Sequence, residues 1–202
     1  MDEADEGVEE LGAGGMFFVD YEELLRRATP EVMRAVETFG PALEGEWAWL
    51  YERATTGERD LRSFTVGTFT YLWDTTATDA PAPESRLVGL YGTSGGPSRS
   101  RDSSRMSGYP LRQPEAGMRV HRGHGAGHSL GGPDEGYNLF VQAASVNLGG
   151  RWRGLERYAA AQPGTFIFVR CIYADASSTP SALEYGLLRR DSRLVVRQFR
   201  NV

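Results

Sequence analysis

The stretch HRGHGAGHSLGGPDEGYNLFVQAASVNLGGRWRGLE, residues 121–156, is the part of this sequence that decides its fold and its chemistry. It contains all three histidines of the chain, His121, His124 and His128, within eight positions, followed by two asparagines and a tryptophan. Imidazole is a common metal ligand and is also the side chain best matched to proton abstraction near neutral pH. The histidines are therefore candidates for a metal site, for a general base, or for loop residues without a chemical role.

The composition around this stretch is that of an ordinary globular protein. The chain has 202 residues, of which 40% are hydrophobic and 24% charged, which suits one principal domain. Its N-terminus lacks the basic start and apolar run of a secretory signal, and no stretch approaches the roughly 18 consecutive apolar residues of a membrane span. We expect a protein with no transmembrane segment, either cytoplasmic or exported without a cleavable signal peptide. The one cysteine, Cys171, lies in an apolar run and is expected to be a buried thiol.

Charge is distributed unevenly along the chain. Residues 1–60 contain 16 acidic side chains and 5 arginines, a net charge of −11, whereas residues 61–202 contain 11 acidic side chains and 17 arginines, a net charge of +6. Every basic residue is an arginine. The planar guanidinium suits phosphate, so the second part is compatible with nucleic-acid binding, although genome composition also produces chains without lysine.

We expect three segments along the chain. Residues 1–15 are acidic and glycine-rich, which is typical of a flexible tail. Residues 16–60 form a helical extension, with three short helices expected in VDYEELLRRA, in TPEVMRAVETFG between the cap Thr29 and the stop Gly40, and in EGEWAWLYERA. Residues 61–202 form the main domain.

Strand patterns dominate the main domain. RSFTVGTFTYLWD is predicted as one strand, and a long segment rich in Gly, Ser and Pro occupies residues 92–117. RWRGLERYAAA is predicted as a helix that ends at Pro163 and Gly164. The other predicted strands are RLVGLYG, the short run NLFVQA, TFIFVRCIY, SALEYGLLRR and SRLVVRQFRNV.

Two kinds of metal site are compatible with the residues of the central stretch. Three closely spaced histidines suit zinc, but the glycines between them disfavour a helix that would align His124 and His128. A hard cation such as Mg²⁺ needs oxygen ligands and keeps several waters, so the carbonyl of Asn147 with a phosphate oxygen suffices. In that arrangement one histidine acts as the base, while Arg122 stabilises charge on the phosphate and Glu156 orders the water shell of the metal.

Three motifs in one order carry a resemblance to a known family. RGH, then NLFVQ, then NLGGRWRGLE resemble the Asp-Arg-Gly-His, Asn-Leu-x-x-Gln and Asn-x-Gly-x-Trp-x-x-x-Glu motifs of the DNA/RNA non-specific endonucleases of the ββα-metal (His-Me finger) superfamily. The branch found as bacterial toxin and secreted nuclease domains is the most similar. Upstream, FTYLWD, VGLYG and the arginines before SGYP fit the opening strands of the family, and downstream FVRCIYAD, LEYGLLRR and the terminal FRN continue the match. The resemblance thus covers roughly residues 62–202.

The resemblance implies a fold and an activity. The fold is α+β, with a ββα-metal core and an antiparallel sheet in residues 61–202, preceded by the short helical extension. The activity is metal-dependent and largely sequence-non-specific endonuclease cleavage of DNA, RNA or both. His124 is the implied general base, Asn147 the ligand of Mg²⁺, for which Mn²⁺ is expected to substitute, Arg122 the phosphate-binding arginine and Glu156 the residue that holds the metal's water.

The resemblance and the charge also suggest supporting residues. Substrate phosphates are expected to contact Arg101, Arg105 and Arg151. Structural support is expected from three residues of the central stretch, His121, Asn138 and Gln142. The expected partner is nucleic acid, with an immunity or carrier protein as a further candidate and no membrane partner.

Three departures from the family pattern keep alternatives open. His121 stands where the family has aspartate, Gly125 and Ala126 follow the base where apolar residues are usual, and one extra residue lies between Asn147 and Trp152. In a regular helix that extra residue would rotate Glu156 by about 100°, unless the Gly149–Gly150 pair absorbs it. A catalytically silent nucleic-acid-binding or protein-interaction domain on the same fold, and a structural zinc module, are the alternatives.

Overall fold

A six-stranded antiparallel sheet lies at the centre of the fold. The computed structural model describes residues 18–28, 35–76, 85–97, 109 and 117–201. The helices are α1 (Tyr21–Ala28), α2 (Ala35–Ala54), α3 (Ala144–Leu148) and α4 (Gly150–Ala161). The strands of the sheet, in the order in which they lie across it, are β1 (Leu61–Val66), β2 (Phe69–Asp74), β3 (Arg86–Thr93), β6 (Phe166–Ile172), β7 (Ala182–Leu188) and β8 (Leu194–Arg200). A separate two-stranded sheet pairs β4 (Val120–His124) with β5 (Leu139–Ala143).

The α+β class with an antiparallel sheet, expected from the sequence, is confirmed. One strand prediction was wrong: RSFTVGTFTYLWD forms two strands, because the chain reverses at Gly67, which has a φ of +62°. The two strands pair from Leu61 opposite Asp74 to Val66 opposite Phe69. The β-branched and aromatic residues on both sides of the turn favour extended backbone, so their composition alone gives no sign of the hairpin.

Helix α2 also differs from its prediction, because Gly40 does not end a helix. The helix runs through Gly40 and Pro41 to Ala54, which merges the second and third predicted helices into one. A Cβ atom at position 40 would clash with the Tyr91 ring of β3, so glycine lets the helix lie close to the sheet. The predicted cap Thr29 lies outside the described residues.

The N-terminal helices cover one face of the sheet and share its core. Trp47 of α2 is fully buried, and its ring centroid lies 5.9 Å from that of Phe168 in β6. The Tyr21 ring of α1 lies 4.9 Å from the same phenylalanine, and its hydroxyl donates to the buried carboxylate of Glu184. Burial and the Glu184 charge raise the pKa of Tyr21 well above its usual value. The helical extension is therefore part of the folded core of the sheet.

The opposite face of the sheet carries helix α4. Trp152 is 1% exposed, and its ring centroid lies 5.0 Å from that of Tyr185 in β7 and 5.3 Å from that of Phe199 in β8. The same indole contacts Phe140 of β5 at 6.3 Å. Trp152 therefore packs the central sheet and the β4–β5 hairpin against one helix. Among the described residues, no helix is long and apolar enough to span a bilayer.

Asn201 joins the hairpin to the end of β8. Its buried side chain accepts a hydrogen bond from the Ala143 amide at 2.7 Å and donates to the carbonyls of Val141, at 2.9 Å, and Pro180, at 2.7 Å. The amide group thus uses both its oxygen and its nitrogen. The position of the hairpin depends on these three bonds as well as on Trp152.

We predict that Asn201→Ala destabilises the protein by about 2–4 kcal/mol, because three buried backbone groups lose their partners. Gln198→Ala, an exposed change on the same strand, is the control and should cost less than about 0.5 kcal/mol. Urea unfolding measures both free energies. Equal stabilities for the two variants would contradict this role of Asn201.

Candidate functional site

The histidine region forms strand β4 and the loop that joins it to β5. β4 ends at His124, and the amide of Gly125 donates to the carbonyl of Asn138 at 2.8 Å as the chain leaves the strand. His128 begins a short 3₁₀ turn, His128–Leu130, whose leucine is buried in the core. The hairpin leads directly into α3 and then α4, so the three histidines lie on one hairpin–helix unit.

The buried side chain of Asn138 binds backbone groups of the loop that joins β4 to β5. Its fully buried amide accepts from the Ala126 N–H at 2.9 Å and donates to the carbonyls of Ala126, at 2.9 Å, and Pro133, at 2.7 Å. Buried backbone groups need such partners, and a loop of this shape has no ladder to supply them. Asn138 therefore fixes the part of the loop that leads to Asp134.

His124 pairs with Asp134, a residue that the sequence did not single out. Its Nε2 lies 3.1 Å from Oδ1 of Asp134, and the two side chains are 12% and 6% exposed. Ten residues separate them, and only the folded loop brings them together. When Nε2 carries the proton and donates to a carboxylate, the lone pair resides on Nδ1.

Arg122 and Gly123 precede His124 on the same strand. Because Arg122 and His124 are two positions apart, both side chains leave the same face of β4. The Arg122 Nε donates to the carbonyl of Tyr109 at 2.9 Å. Gly123 lies under the Gln142 side chain, since a Cβ there would come within 2.5 Å of the Gln142 Oε1. Gln142 is fully buried, and neither of its amide atoms has a hydrogen-bond partner in the described part of the chain.

His121 contacts Asn147, which lies in α3. The Nδ1 of His121 is 2.8 Å from the Nδ2 of Asn147, and both side chains are partly exposed. The backbone carbonyl of Asn147 accepts from the Nε of Arg153 at 3.2 Å. His121 is thus the histidine that the structure brings to the asparagine.

The extra residue before Trp152 lies between two helices. Gly149 is extended, with φ −64° and ψ 138°, so it separates α3 from α4. Glu156 extends from α4 to the loop after β4, where its Oε1 would lie 2.7 Å from a Cβ at Gly127. Burial raises the pKa of Tyr185, and the nearby Glu156 carboxylate raises it further.

The remaining candidates divide into described and undescribed residues. Arg151 is exposed on α4, whereas Arg101 and Arg105 lie outside the described residues. Cys171 is buried, and burial raises the pKa of its thiol to about 12, so it has little thiolate at neutral pH.

The structure also bears on the zinc alternative. Among the described residues, which include all three histidines, no group of three His, Cys, Asp or Glu side chains is arranged to hold a metal. Structural zinc sites commonly have four such ligands. Within the described ranges, the three histidines are thus not grouped as the structural zinc alternative expects.

Comparisons with known proteins give only distant structural similarities. No protein-family model matches the sequence, and no curated protein matches it. The chain is similar to a structure of Sda1 nuclease with a bound zinc ion, at 13% identity and a TM-score of 0.38, over 71% of this chain and 75% of that one. It is also similar to an extracellular nuclease (16% identity, TM-score 0.32, 73% and 86% covered) and to an extracellular endonuclease (16%, 0.34, 73% and 80%). At these TM-scores the similarities establish neither the family nor the activity of this chain.

We predict that Asn138→Ala and Asn138→Asp each destabilise the protein by about 2–3 kcal/mol. Alanine leaves all three backbone partners unsatisfied, while aspartate keeps an acceptor for the Ala126 N–H but loses the donors to two carbonyls. Hydrogen exchange provides the specific readout, because the Ala126 amide should exchange faster in the alanine variant than in the aspartate variant. Identical protection of this amide in both variants would show that the Asn138 oxygen does not hold it.

Proposed function

We propose that this chain is a metal-dependent nuclease that hydrolyses phosphodiester bonds, with the β4–β5 hairpin and the helices after it as a ββα-metal core. One observation carries the proposal. His124, the last residue of β4, is held by the buried carboxylate of Asp134, and the same hairpin leads into α3, the helix that bears Asn147. The motif order in residues 121–156 supports the same reading.

The residues present fit a hydrated divalent cation. When the Asn147 Nδ2 donates to His121, the amide oxygen is left to accept or to coordinate. Amide oxygen is a ligand that Mg²⁺ and Mn²⁺ accept, and Mg²⁺ keeps several waters, so few protein ligands are required. A cation bound there supplies charge neutralisation for the phosphate. Mg²⁺ is the proposed cofactor, with Mn²⁺ as a substitute.

His124 and Asp134 provide the proton chemistry. With Nε2 donating to Asp134, Nδ1 accepts a proton from water, and the resulting hydroxide attacks phosphorus. The P–O bond to the leaving oxygen breaks, that oxygen takes a proton from solvent, and the His124 imidazolium then returns its proton to solvent. The Asp134 carboxylate holds the ring and stabilises the imidazolium that forms. Asp134 is a positioning residue in this scheme, because it acts through His124.

Arg122 is proposed to bind the phosphate beside the base. Its side chain leaves the same strand face as His124, and the bond from its Nε to Tyr109 fixes the guanidinium orientation. A fixed cation near the phosphate stabilises the charge that grows on its oxygens. Glu156 keeps its proposed role of ordering water at the metal, and Arg151 a role in binding substrate phosphates.

The proposed substrate is DNA, RNA or both, with little sequence preference. Arginine contacts to phosphates carry no base information, and binding through them weakens steeply with salt. A toxin or effector role with an immunity or carrier protein remains part of the proposal. Because α1 and α2 pack on the central sheet, a partner that recognised these two helices would bind them as part of the folded domain.

We predict that His124→Ala lowers the cleavage rate by about 10²–10⁴-fold, because the base is lost. Asn147→Ala should abolish nearly all turnover through loss of the metal ligand. His128→Ala is the matched control and should keep wild-type activity. Digestion of plasmid DNA, single-stranded DNA and RNA with Mg²⁺, Mn²⁺ or EDTA measures these rates and identifies the substrate.

Two results would count against this assignment. Full activity in His124→Ala or in Asn147→Ala would remove that residue from the mechanism. If folded wild-type protein bound nucleic acid but cleaved none with any cation, the chain would be a catalytically silent binding domain.

Asp134→Asn is predicted to lower kcat by about 10²-fold or more with little change in KM. An amide that donates to Nε2 favours the ring tautomer with its proton on Nδ1, which cannot accept the proton of water. The ¹⁵N chemical shifts of the His124 ring report the tautomer directly. Asp191→Asn, an exposed change in the turn after β7, is the control. An unchanged kcat, or an unchanged His124 tautomer, would contradict the role of Asp134.

A further inference from the structure

We propose that His121 is a second protein ligand of the divalent cation, beside Asn147, and that its nitrogen makes the site prefer Mn²⁺ over Mg²⁺. The inference rests on the proposed function, since it refines the metal site of the same nuclease. It concerns the residue that stands at the family's aspartate position.

The geometry of the pair already matches a two-ligand site. The His121 Nδ1 lies 2.8 Å from the Asn147 Nδ2, and it accepts that hydrogen bond through its lone pair. The ring proton is then on Nε2, which is the tautomer that coordinates through Nδ1. The imidazole lone pair therefore points at the Asn147 amide without any change of tautomer.

Coordination requires only a rotation of the Asn147 amide. A half-turn about the bond to the carboxamide exchanges its nitrogen and oxygen, which brings Oδ1 to the side of His121. A cation between the two would have one oxygen and one nitrogen ligand from the protein. Both side chains are partly exposed, so water and a substrate phosphate have room for the remaining positions.

The backbones that carry the two ligands are held in place independently. His121 lies in β4 opposite Gln142 of β5, and β5 is tied to Asn201 through Ala143. Asn147 lies in α3, where Arg153 of α4 binds its carbonyl. The distance between the ligands is therefore set by the hairpin and the two helices.

The ligand chemistry favours Mn²⁺. Mn²⁺ accepts oxygen ligands as Mg²⁺ does, but it is the softer of the two cations and binds imidazole nitrogen better than Mg²⁺, which prefers oxygen and carboxylate charge. Neither His121 nor Asn147 carries a negative charge when it coordinates. A histidine in place of the family's aspartate thus weakens Mg²⁺ binding and retains affinity for Mn²⁺.

Electron spin-echo spectroscopy of the Mn²⁺-loaded protein tests the ligand directly, without substrate. A coordinated imidazole produces a ¹⁴N modulation. We expect this modulation in the wild type, in the matched control His128→Ala and in His124→Ala, and its loss in His121→Ala. Retention of the modulation in His121→Ala, or its absence from a wild-type complex in which Mn²⁺ is bound, overturns the proposal.

Calorimetric titration with Mg²⁺ and with Mn²⁺ gives the second readout. His121→Asp should shift the ratio of Mg²⁺ to Mn²⁺ affinity toward Mg²⁺ by about tenfold or more, because carboxylate oxygen replaces nitrogen. An unchanged ratio contradicts the proposal.

Failure of this inference is separable from failure of the proposed function. If Asn147→Ala loses Mn²⁺ binding while His121→Ala keeps both binding and the ¹⁴N signal of the wild type, His121 only orients the amide and the nuclease assignment stands. If the folded wild type binds neither cation, both the ligand proposal and the metal-dependent function fail.

Discussion

The hydrogen bonds of Asn201 connect the two sheets of this protein, and the candidate site depends on that connection. The six-stranded sheet carries the core, but His121, His124 and Asn147 lie on the hairpin and the helices after it. Asn201 binds Ala143 and Val141 of β5 at the point where β8 ends. Trp152 adds apolar contact between the same parts. A buried amide has directional partners, so it fixes the hairpin in a way that aromatic packing alone does not.

Asn138 makes the same set of side-chain hydrogen bonds as Asn201, inside the loop that joins β4 to β5. Both asparagines use their oxygen for one backbone N–H and their nitrogen for two carbonyls. Asn138 binds the carbonyl of Pro133, the residue before Asp134, so the position of the carboxylate at His124 follows from the amide. His124 is thus oriented through a chain of contacts that begins at Asn138, a residue for which no chemical role is proposed.

Local sequence patterns predicted some helices and strands correctly and missed other features of the fold and the candidate site, and the reason differs from case to case. The strands after residue 165 are apolar runs bounded by turns, and the helix after Asn147 ends before Pro163, so composition alone predicted them. Gly40 lies inside α2 where the Tyr91 ring packs against it, and Tyr91 is about 50 residues away in sequence, so no local pattern shows why glycine stands there. Asp134 was missed because its contact with His124 follows from the shape of the loop. The roles proposed for His124 and Asn147 came from the family resemblance in the order of the motifs, which no local pattern supplies.

Two of the departures from the family motifs, the extra residue before Trp152 and the histidine at position 121, have different consequences in the structure. The extra residue lies at Gly149, whose extended backbone separates α3 from α4. The rotation of α4 about its own axis is therefore set by the packing of Trp152 on the sheet and not by α3. Glu156, four residues after Trp152, therefore keeps a position near the loop that is independent of Asn147. The change to His121 is not absorbed in this way, because it alters the charge beside Asn147. Asp134 supplies a carboxylate beside His124, whereas the contact of Asn147 is with the neutral imidazole of His121. The substitution at position 121 therefore removes negative charge from the proposed ligands and leaves the contact of His124 unchanged. For this reason the proposed preference between cations depends on His121.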